Sequence, residues 1–172
     1  MSFRFDPVIQ EIEVLLAESA QLAASGPHFI ILHRLWERGS NCLPGEEIAG
    51  IWLVYRGREF QLRLSLALRL LFDHLARRRW LAQSASQIES AMKADAFYAR
   101  HGTNVRTSTR QTRRITRSAI KTYIQRIRKA LRSAFEEAGV QVDSANVLAS
   151  RPTEGNEIAY QLRATIAWVH TR

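Results

Sequence analysis

Apolar residues recur at helical spacing near the N-terminus. Asp6 and Pro7 are a typical helix start, because the aspartate caps the first turn and proline fits inside it. The stripe that follows runs as far as Gly26, and a second, shorter helix is expected over 28–38. Together these segments predict a helical hairpin.

The pattern changes from helical to alternating at residue 51. Residues 39–50, which include Pro44, are expected to form a linker or loop. Over 51–64 apolar and polar side chains alternate on both sides of a turn at Gly57. This alternation predicts a β-hairpin.

Three more helices are expected beyond the hairpin. The first covers 66–78 after Ser65, and the second begins at a capping-box spacing, Ser84 with Gln87 or Ser86 with Glu89, and runs to about residue 100. A polar loop over 102–116 separates them from the third helix.

The third helix covers 117–138 and ends at Gly139. Short strand segments are expected at 140–142, at 147–148 and, as a strand or strand pair, over 158–169.

Charge is concentrated in one part of the chain. The 172 residues carry a formal net charge of +9, yet from Arg100 to Arg132 there are 11 Lys and Arg residues and no Asp or Glu. The remaining chain has 14 basic and 16 acidic residues. A concentrated basic block indicates a surface for a polyanion, against the simpler alternative of a solvated face.

The third helix carries the centre of this block. Its apolar stripe predicts one buried side, and its cations lie on the other. Arg117, Lys121, Arg128 and Arg132 share that exposed side, with Gln125 and Arg126 flanking them. An apolar back and a cationic front suit the major groove of DNA.

The order of these elements resembles the OmpR/PhoB-type winged-helix DNA-binding domain over roughly residues 51–165. The segment Ile124-Gln-Arg-Ile-Arg-Lys-Ala-Leu131 is similar to that family's recognition-helix core, Ile-x-Arg-Leu-Arg-Lys-Lys-Leu. The segment from Leu62 to Leu71 is similar to its strand-to-first-helix segment, and Ala159-Tyr-Gln-Leu162 to the Gly-Tyr-Arg-Leu that closes its wing.

The resemblance implies an α+β fold, a winged helix-turn-helix with an N-terminal β-hairpin and an added N-terminal helical hairpin. Residues 1–50 would form the helical hairpin and linker, and 51–172 the DNA-binding domain. Only about 50 residues precede the β-hairpin, so a receiver domain of the kind that such regulators carry is not expected.

The resemblance also implies roles for particular residues. Arg126 would be the main base-reading residue, with Lys121, Tyr123 and Arg128 contacting phosphates or bases nearby, and the wing near 150–157 would enter the minor groove. The candidate DNA-binding residues are Arg110, Arg113, Arg114, Arg117, Lys121, Tyr123, Gln125, Arg126, Arg128, Lys129, Arg132, Ser150 and Arg151.

Three features depart from the family pattern. Lys121 stands where the family usually has an acid, Ala159 replaces a glycine, and the wing segment over 150–157 is longer than usual. These departures affect the contacts at Lys121 and the geometry of the wing.

The sequence does not predict an enzyme, a cofactor or a metal site. The five histidines are scattered and there is one cysteine, so neither a structural zinc site nor an internal disulfide is expected. No phosphate-binding glycine motif is present. The sequence does not exclude a nuclease-type site that uses the carboxylates of Glu89 and Asp95.

The N-terminus lacks the layout of a signal peptide, and the longest strictly apolar runs are only about four residues, far below the ~20 that span a bilayer. We therefore expect a cytoplasmic, nucleoid-associated protein without a membrane partner.

The function predicted from the sequence is sequence-specific binding of double-stranded DNA, in a transcriptional regulator that acts as a homodimer through its N-terminal helices. RNA polymerase or another regulator is a further candidate partner. Three alternatives stay open: an adaptor that binds an acidic protein, a non-specific architectural DNA-binding protein, and an RNA-binding protein. The N-terminal helices are equally compatible with packing on the domain's own core.

Overall fold

A computed structural model describes residues 27–36, 45–79, 81–95 and 115–171. The chain divides into two units. The first contains the described residues up to Leu62 together with those from Thr165 onward, and the second runs from Arg63 to Ala164. The boundary expected at residue 50 falls inside a strand.

The first unit is built on a four-stranded sheet. Its strands are β1 (His28–Trp36), β2 (Gly45–Tyr55), β3 (Arg58–Gln61) and β7 (Thr165–Thr171), in the order β3-β2-β1-β7. Strand β2 pairs antiparallel with both β1 and β3, whereas β7 runs parallel to β1. The last described strand of the chain thus completes a sheet that the first one begins.

Strand β1 corrects the prediction of a helix over 28–38. Phe29, Ile30, Ile31 and Leu32 are consecutive and all buried, so both faces of the strand are covered. A short, continuous apolar run is typical of a central strand of this kind, but its pattern does not distinguish such a strand from a buried helix. The first predicted helix, over residues 6–26, lies outside the described residues.

Strand β2 corrects the prediction of a loop over 39–50, because it begins at Gly45. Gly50, the last residue of the expected loop, lies opposite Leu32 in the sheet. A Cβ at position 50 would fall 2.5 Å from the ring of Trp52. Next to it the β1–β2 register shifts by one residue, at Ala49. Gly50 therefore permits a close approach beside a bulge, which is a known use of glycine within strands.

The hairpin predicted over 51–64 is confirmed as β2 and β3. Its two central turn residues, Arg56 and Gly57, have φ angles of 50° and 72°. Two positive φ values are required by the tight hairpin turn whose twist matches that of its strands.

The second unit contains four helices and three strands among its described residues. They follow in the order α1 (Leu66–Arg77), β4 (Gln83–Ser84), α2 (Ala85–Ala94), α3 (Arg117–Ala138), α4 (Ser144–Val147), β5 (Leu148–Pro152) and β6 (Ile158–Leu162). The strands form one sheet in the order β4-β6-β5, antiparallel throughout. The fold class is α+β, as predicted, and this order of elements is compatible with a winged helix.

Local capping signals place the helix ends. Ser84 and Gln87 form the capping box of α2, the first of the two predicted pairs, and Thr116 caps α3 by accepting a hydrogen bond from the Ala119 amide. Gly139 ends α3 in the left-handed conformation. Helix α2 ends at Ala94, earlier than predicted.

The core of the second unit contains the apolar stripe of α3. The side chains of Ile120, Ile124, Ile127, Leu131 and Phe135 are at most 2% exposed, as the helical pattern predicts. The structure contradicts the strand expected at 140–142, and it adds the short helix α4, which the sequence did not predict.

Within the described part of the chain, no helix is long and apolar enough to cross a membrane.

Two glycines allow a matched test of the end of α3. Replacing Gly139 by alanine should cost about 1 kcal/mol of unfolding free energy, because φ is +73° there although the Cβ would meet nothing within 4 Å. Gly155 is equally open but lacks a positive φ, so Gly155→Ala should change stability by about 0.5 kcal/mol or less. Urea denaturation of both variants measures the difference; equal losses would contradict the conformational argument.

Candidate nucleic-acid interface

Helix α3 separates its side chains into a buried and an exposed side, as predicted. Six Lys and Arg residues and no acid lie between Arg117 and Arg132, on a helix whose opposite side is in the core. The exposed candidates on this helix are Arg117, Lys121, Gln125, Arg126, Lys129 and Arg132; Tyr123 and Arg128 are half-buried.

Arg126 lies apart from the other arginines of this surface. It is two residues from Arg128, which places the two side chains on opposite flanks of the helix, roughly 200° apart. Arg128 faces the strand β5, and Arg126 therefore points away from it.

The guanidinium of Arg128 holds the base of the wing. Its Nε and Nη2 atoms donate to the carbonyl oxygen of Leu148 at 2.9 and 2.7 Å, and Nη2 also donates to the Ser150 hydroxyl at 2.6 Å. Partial burial lowers the pKa of Arg128 from its usual value. Arg128 was predicted to contact DNA, but in this structure its side chain fixes β5 against α3. Ser150, another predicted DNA contact, accepts one of its hydrogen bonds.

The wing itself is the hairpin of β5 and β6. Its tip, residues 153–157, closes on itself: the Thr153 amide and hydroxyl both donate to the carbonyl of Glu157, at 3.0 and 2.6 Å. Asn156 adopts a φ of 57° to make the turn. Arg151 is exposed at the edge of this wing, as a DNA contact requires.

The carboxylate of Glu157 ties the wing tip to two helices. It accepts hydrogen bonds from the Ser86 hydroxyl at 2.9 and 3.1 Å, at the first turn of α2. One of its oxygens also lies 3.4 Å from Nη2 of Arg117, the first residue of α3. The hydrogen bond from Ser86, with a smaller effect from the charge of Arg117, lowers the pKa of Glu157.

A second carboxylate lies at the start of α3. Glu89, on α2, accepts a hydrogen bond from the Arg117 amide at 2.6 Å and pairs with Lys93. The hydrogen bond from Lys93, followed by that from the Arg117 amide, lowers the pKa of Glu89. A negative charge at this position also complements the positive end of the helix dipole.

An open groove of about 700 Å³ lies between the wing tip and the first turns of α2 and α3. Arg117 and Lys121 line it together with Glu89, Asn156 and Glu157. The groove thus combines two cations with two carboxylates that already have hydrogen-bond partners.

Arg110, Arg113 and Arg114 lie outside the described residues. Asp95 ends α2 as its C-cap. Among the described residues no group of three or more His, Cys, Asp or Glu side chains is arranged to hold a metal ion.

The link between Glu157 and Ser86 was not predicted from the sequence. These residues are 71 positions apart, so no local pattern connects them. The alternative capping-box pair, Ser86 with Glu89, does not form, because each residue bonds elsewhere: Ser86 to the wing and Glu89 to α3.

Comparison of the chain with protein-family models, curated proteins and solved structures gives no match.

The role of Arg128 in the wing predicts a loss of stability when it is replaced. Arg128→Met should lower the free energy of unfolding by about 1–3 kcal/mol, because the charged donors to Leu148 and Ser150 are lost. Its exposed neighbour provides the control: Lys129→Met should change stability by about 0.5 kcal/mol or less. Urea denaturation of the two variants checks this, and equal stability of both would show that the bonds of Arg128 contribute nothing net.

The link between Glu157 and Ser86 predicts a dependence on pH. Since the folded-state pKa of Glu157 lies below its ordinary value of 4.5, the link stabilises fully above that value and is lost as the pH falls through the folded-state pKa. A double-mutant cycle with Ser86→Ala and Glu157→Gln should therefore show coupling at neutral pH that disappears in acid. Coupling that persisted in acid would mean that the ionised carboxylate is not its source.

Proposed function

We propose that this chain is a sequence-specific double-stranded DNA-binding protein, with α3 in the major groove and the wing at the adjacent minor groove. The observation that carries the proposal is the exposed side of α3. Its first 16 residues include six cations and no acid; five of these cations are exposed, Arg128 is bonded to the wing, and the apolar side holds the helix in the core. Such a surface gains from counterion release on a polyanion.

The distribution of charge along α3 indicates which end approaches DNA. The helix is roughly 33 Å long, and its acids, Glu136 and Glu137, are both exposed in the last turn. Phosphates would repel that end. The N-terminal half carries Arg117, Lys121 and Arg126 and no acid, so it is the end we place in the groove.

The carboxylates beside this end do not oppose the proposal. Glu157 is bonded to Ser86 and paired with Arg117, and Glu89 is paired with Lys93. Their role is to fix the wing and α3 relative to each other. Because the wing is already held in one position, it would lose little conformational entropy when it binds DNA.

We extend the proposal to a cytoplasmic, nucleoid-associated transcriptional regulator that binds as a homodimer, with RNA polymerase or another regulator as a further partner. Its support is general: winged and other helix-turn-helix proteins commonly bind paired half-sites as dimers. The helical hairpin predicted to dimerise covered residues 6–38; its second helix is replaced by strand β1, and residues 6–26 lie outside the described residues.

Fluorescence anisotropy with duplex DNA tests the proposal. A duplex from upstream of the chain's own coding region and a scrambled duplex are titrated at salt concentrations from about 50 to about 300 mM. We expect preference for the first duplex and a steep loss of affinity with salt. Equal binding to both would favour an architectural role, and binding to neither would favour an adaptor for an acidic protein.

A single substitution tests the surface itself. Lys121→Ala should weaken DNA binding and reduce the log–log salt slope by about 0.9, the contribution of one phosphate contact. The control, Arg163→Ala, removes the same charge just beyond the other end of β6, about 17 Å along the chain from Ile158, where β6 begins. If both variants lost affinity equally, the groove beside α3 would not be the binding surface.

A further inference from the structure

The first half of α3 carries a stripe of neutral polar side chains. Ser118, Thr122 and Gln125 follow one another at spacings of four and three residues, so they lie on one face of the helix. All three are exposed, and this face lies opposite the buried stripe that contains Ile120 and Ile124.

Cations border this neutral stripe on both sides. Lys121 lies roughly 70° around the helix toward the wing, on the flank where Arg117 pairs with Glu157. Arg126 lies roughly 70° around in the other direction, away from the wing. In the first half of α3, neutral hydrogen-bonding groups thus lie in the middle with a cation on each side; one turn beyond Gln125, the exposed Lys129 continues the same face.

This order of side chains around the helix matches the cross-section of a major groove, in which base edges lie between two phosphate backbones. A helix lying in the groove presents its outermost line to the base edges and its two flanks to the two phosphate backbones. From this we infer that Thr122 and Gln125 are the residues that determine base specificity, while Arg126 contacts phosphate. The inference rests on the proposed function and departs from the family resemblance, in which Arg126 is the main base-reading residue.

Ser118 belongs to the stripe but has a structural role. Its hydroxyl lies 3.2 Å from that of Thr116, the residue that caps α3. Thr122 and Gln125 therefore remain as the two readers.

The chemistry of these two side chains indicates the kind of site they recognise. A glutamine amide pairs bidentately with the N6 and N7 atoms of adenine, and a threonine methyl contacts the methyl group of thymine. We therefore expect a recognition site with neighbouring A·T pairs where the first half of α3 lies.

Selection of bound duplexes from a random pool tests the inference, followed by affinity measurements on the selected duplex and on single-base-pair variants of it. Gln125→Ala and Thr122→Ala should each lose about tenfold discrimination at one A·T pair. Arg126→Ala should weaken binding to selected and scrambled duplexes by the same factor, and reduce the salt slope by about 0.9. The control is Ser133→Ala, an exposed hydroxyl in the second half of α3, which should leave the preference unchanged.

A change of preference is a stricter test than a loss. Gln125→Arg should move the preferred base at its position from adenine to guanine, because arginine pairs bidentately with the O6 and N7 atoms of guanine. Circular dichroism verifies that each variant is folded; all four positions are exposed, so no loss of structure is expected.

The outcomes separate the inference from the function on which it rests. A wild-type chain that selects no sequence overturns the proposed function, and the assignment of readers with it. A wild-type chain that does select one, but whose preference disappears in Arg126→Ala and survives in Gln125→Ala and Thr122→Ala, overturns the assignment alone.

Discussion

The burial of one side of α3 is the constraint on which the second unit depends. Because Ile120, Ile124, Ile127 and Leu131 are fully enclosed, the helix has one orientation about its own axis. Rotating it to bury a cation would place an unpaired charge in an apolar core, at a cost of several kcal/mol. The position of every exposed side chain on α3, charged or neutral, follows from this packing.

The wing is positioned by polar contacts in addition to the apolar side chains that the bases of its two strands bury, Leu148 and Leu162 among them. Arg128 binds its base, and Glu157 fixes its tip to Ser86 and Arg117. Pairing with β4 supports only the first residues of β6, Ala159 and Tyr160, so the tip beyond them relies on these polar contacts. These contacts therefore do for the wing what the apolar stripe does for α3: they select one orientation from many.

Features determined by neighbouring residues were predictable. The ends of α3 at Thr116 and Gly139, the capping box at Ser84 and the turn at Gly57 each depend on residues within about four positions of one another. The basic character of α3 follows in the same way from the order of the residues along one helix.

Features that depend on distant partners were not predictable. The apolar run of β1 becomes a central strand because β7, more than a hundred residues later, pairs with it. The same limit applies to the wing, since Glu157 meets Ser86 across 71 residues. Arg128 was expected to face DNA because a helical pattern shows that a cation is on the surface, but not which neighbouring strand it meets.

The parallel pairing of β7 with β1 has a consequence for the order in which the chain folds during synthesis. Residues 63–164 emerge from the ribosome between two parts of the same sheet, so the unit that begins first is completed last. The second unit is contiguous in sequence, so all its strands are made before β7. Because domains generally fold as units during translation, the second unit can fold before the first is complete. For that interval β1 can pair with β2 but not with β7, so it is an edge strand with unpaired backbone groups, and its apolar residues must be protected from aggregation before the sheet is complete.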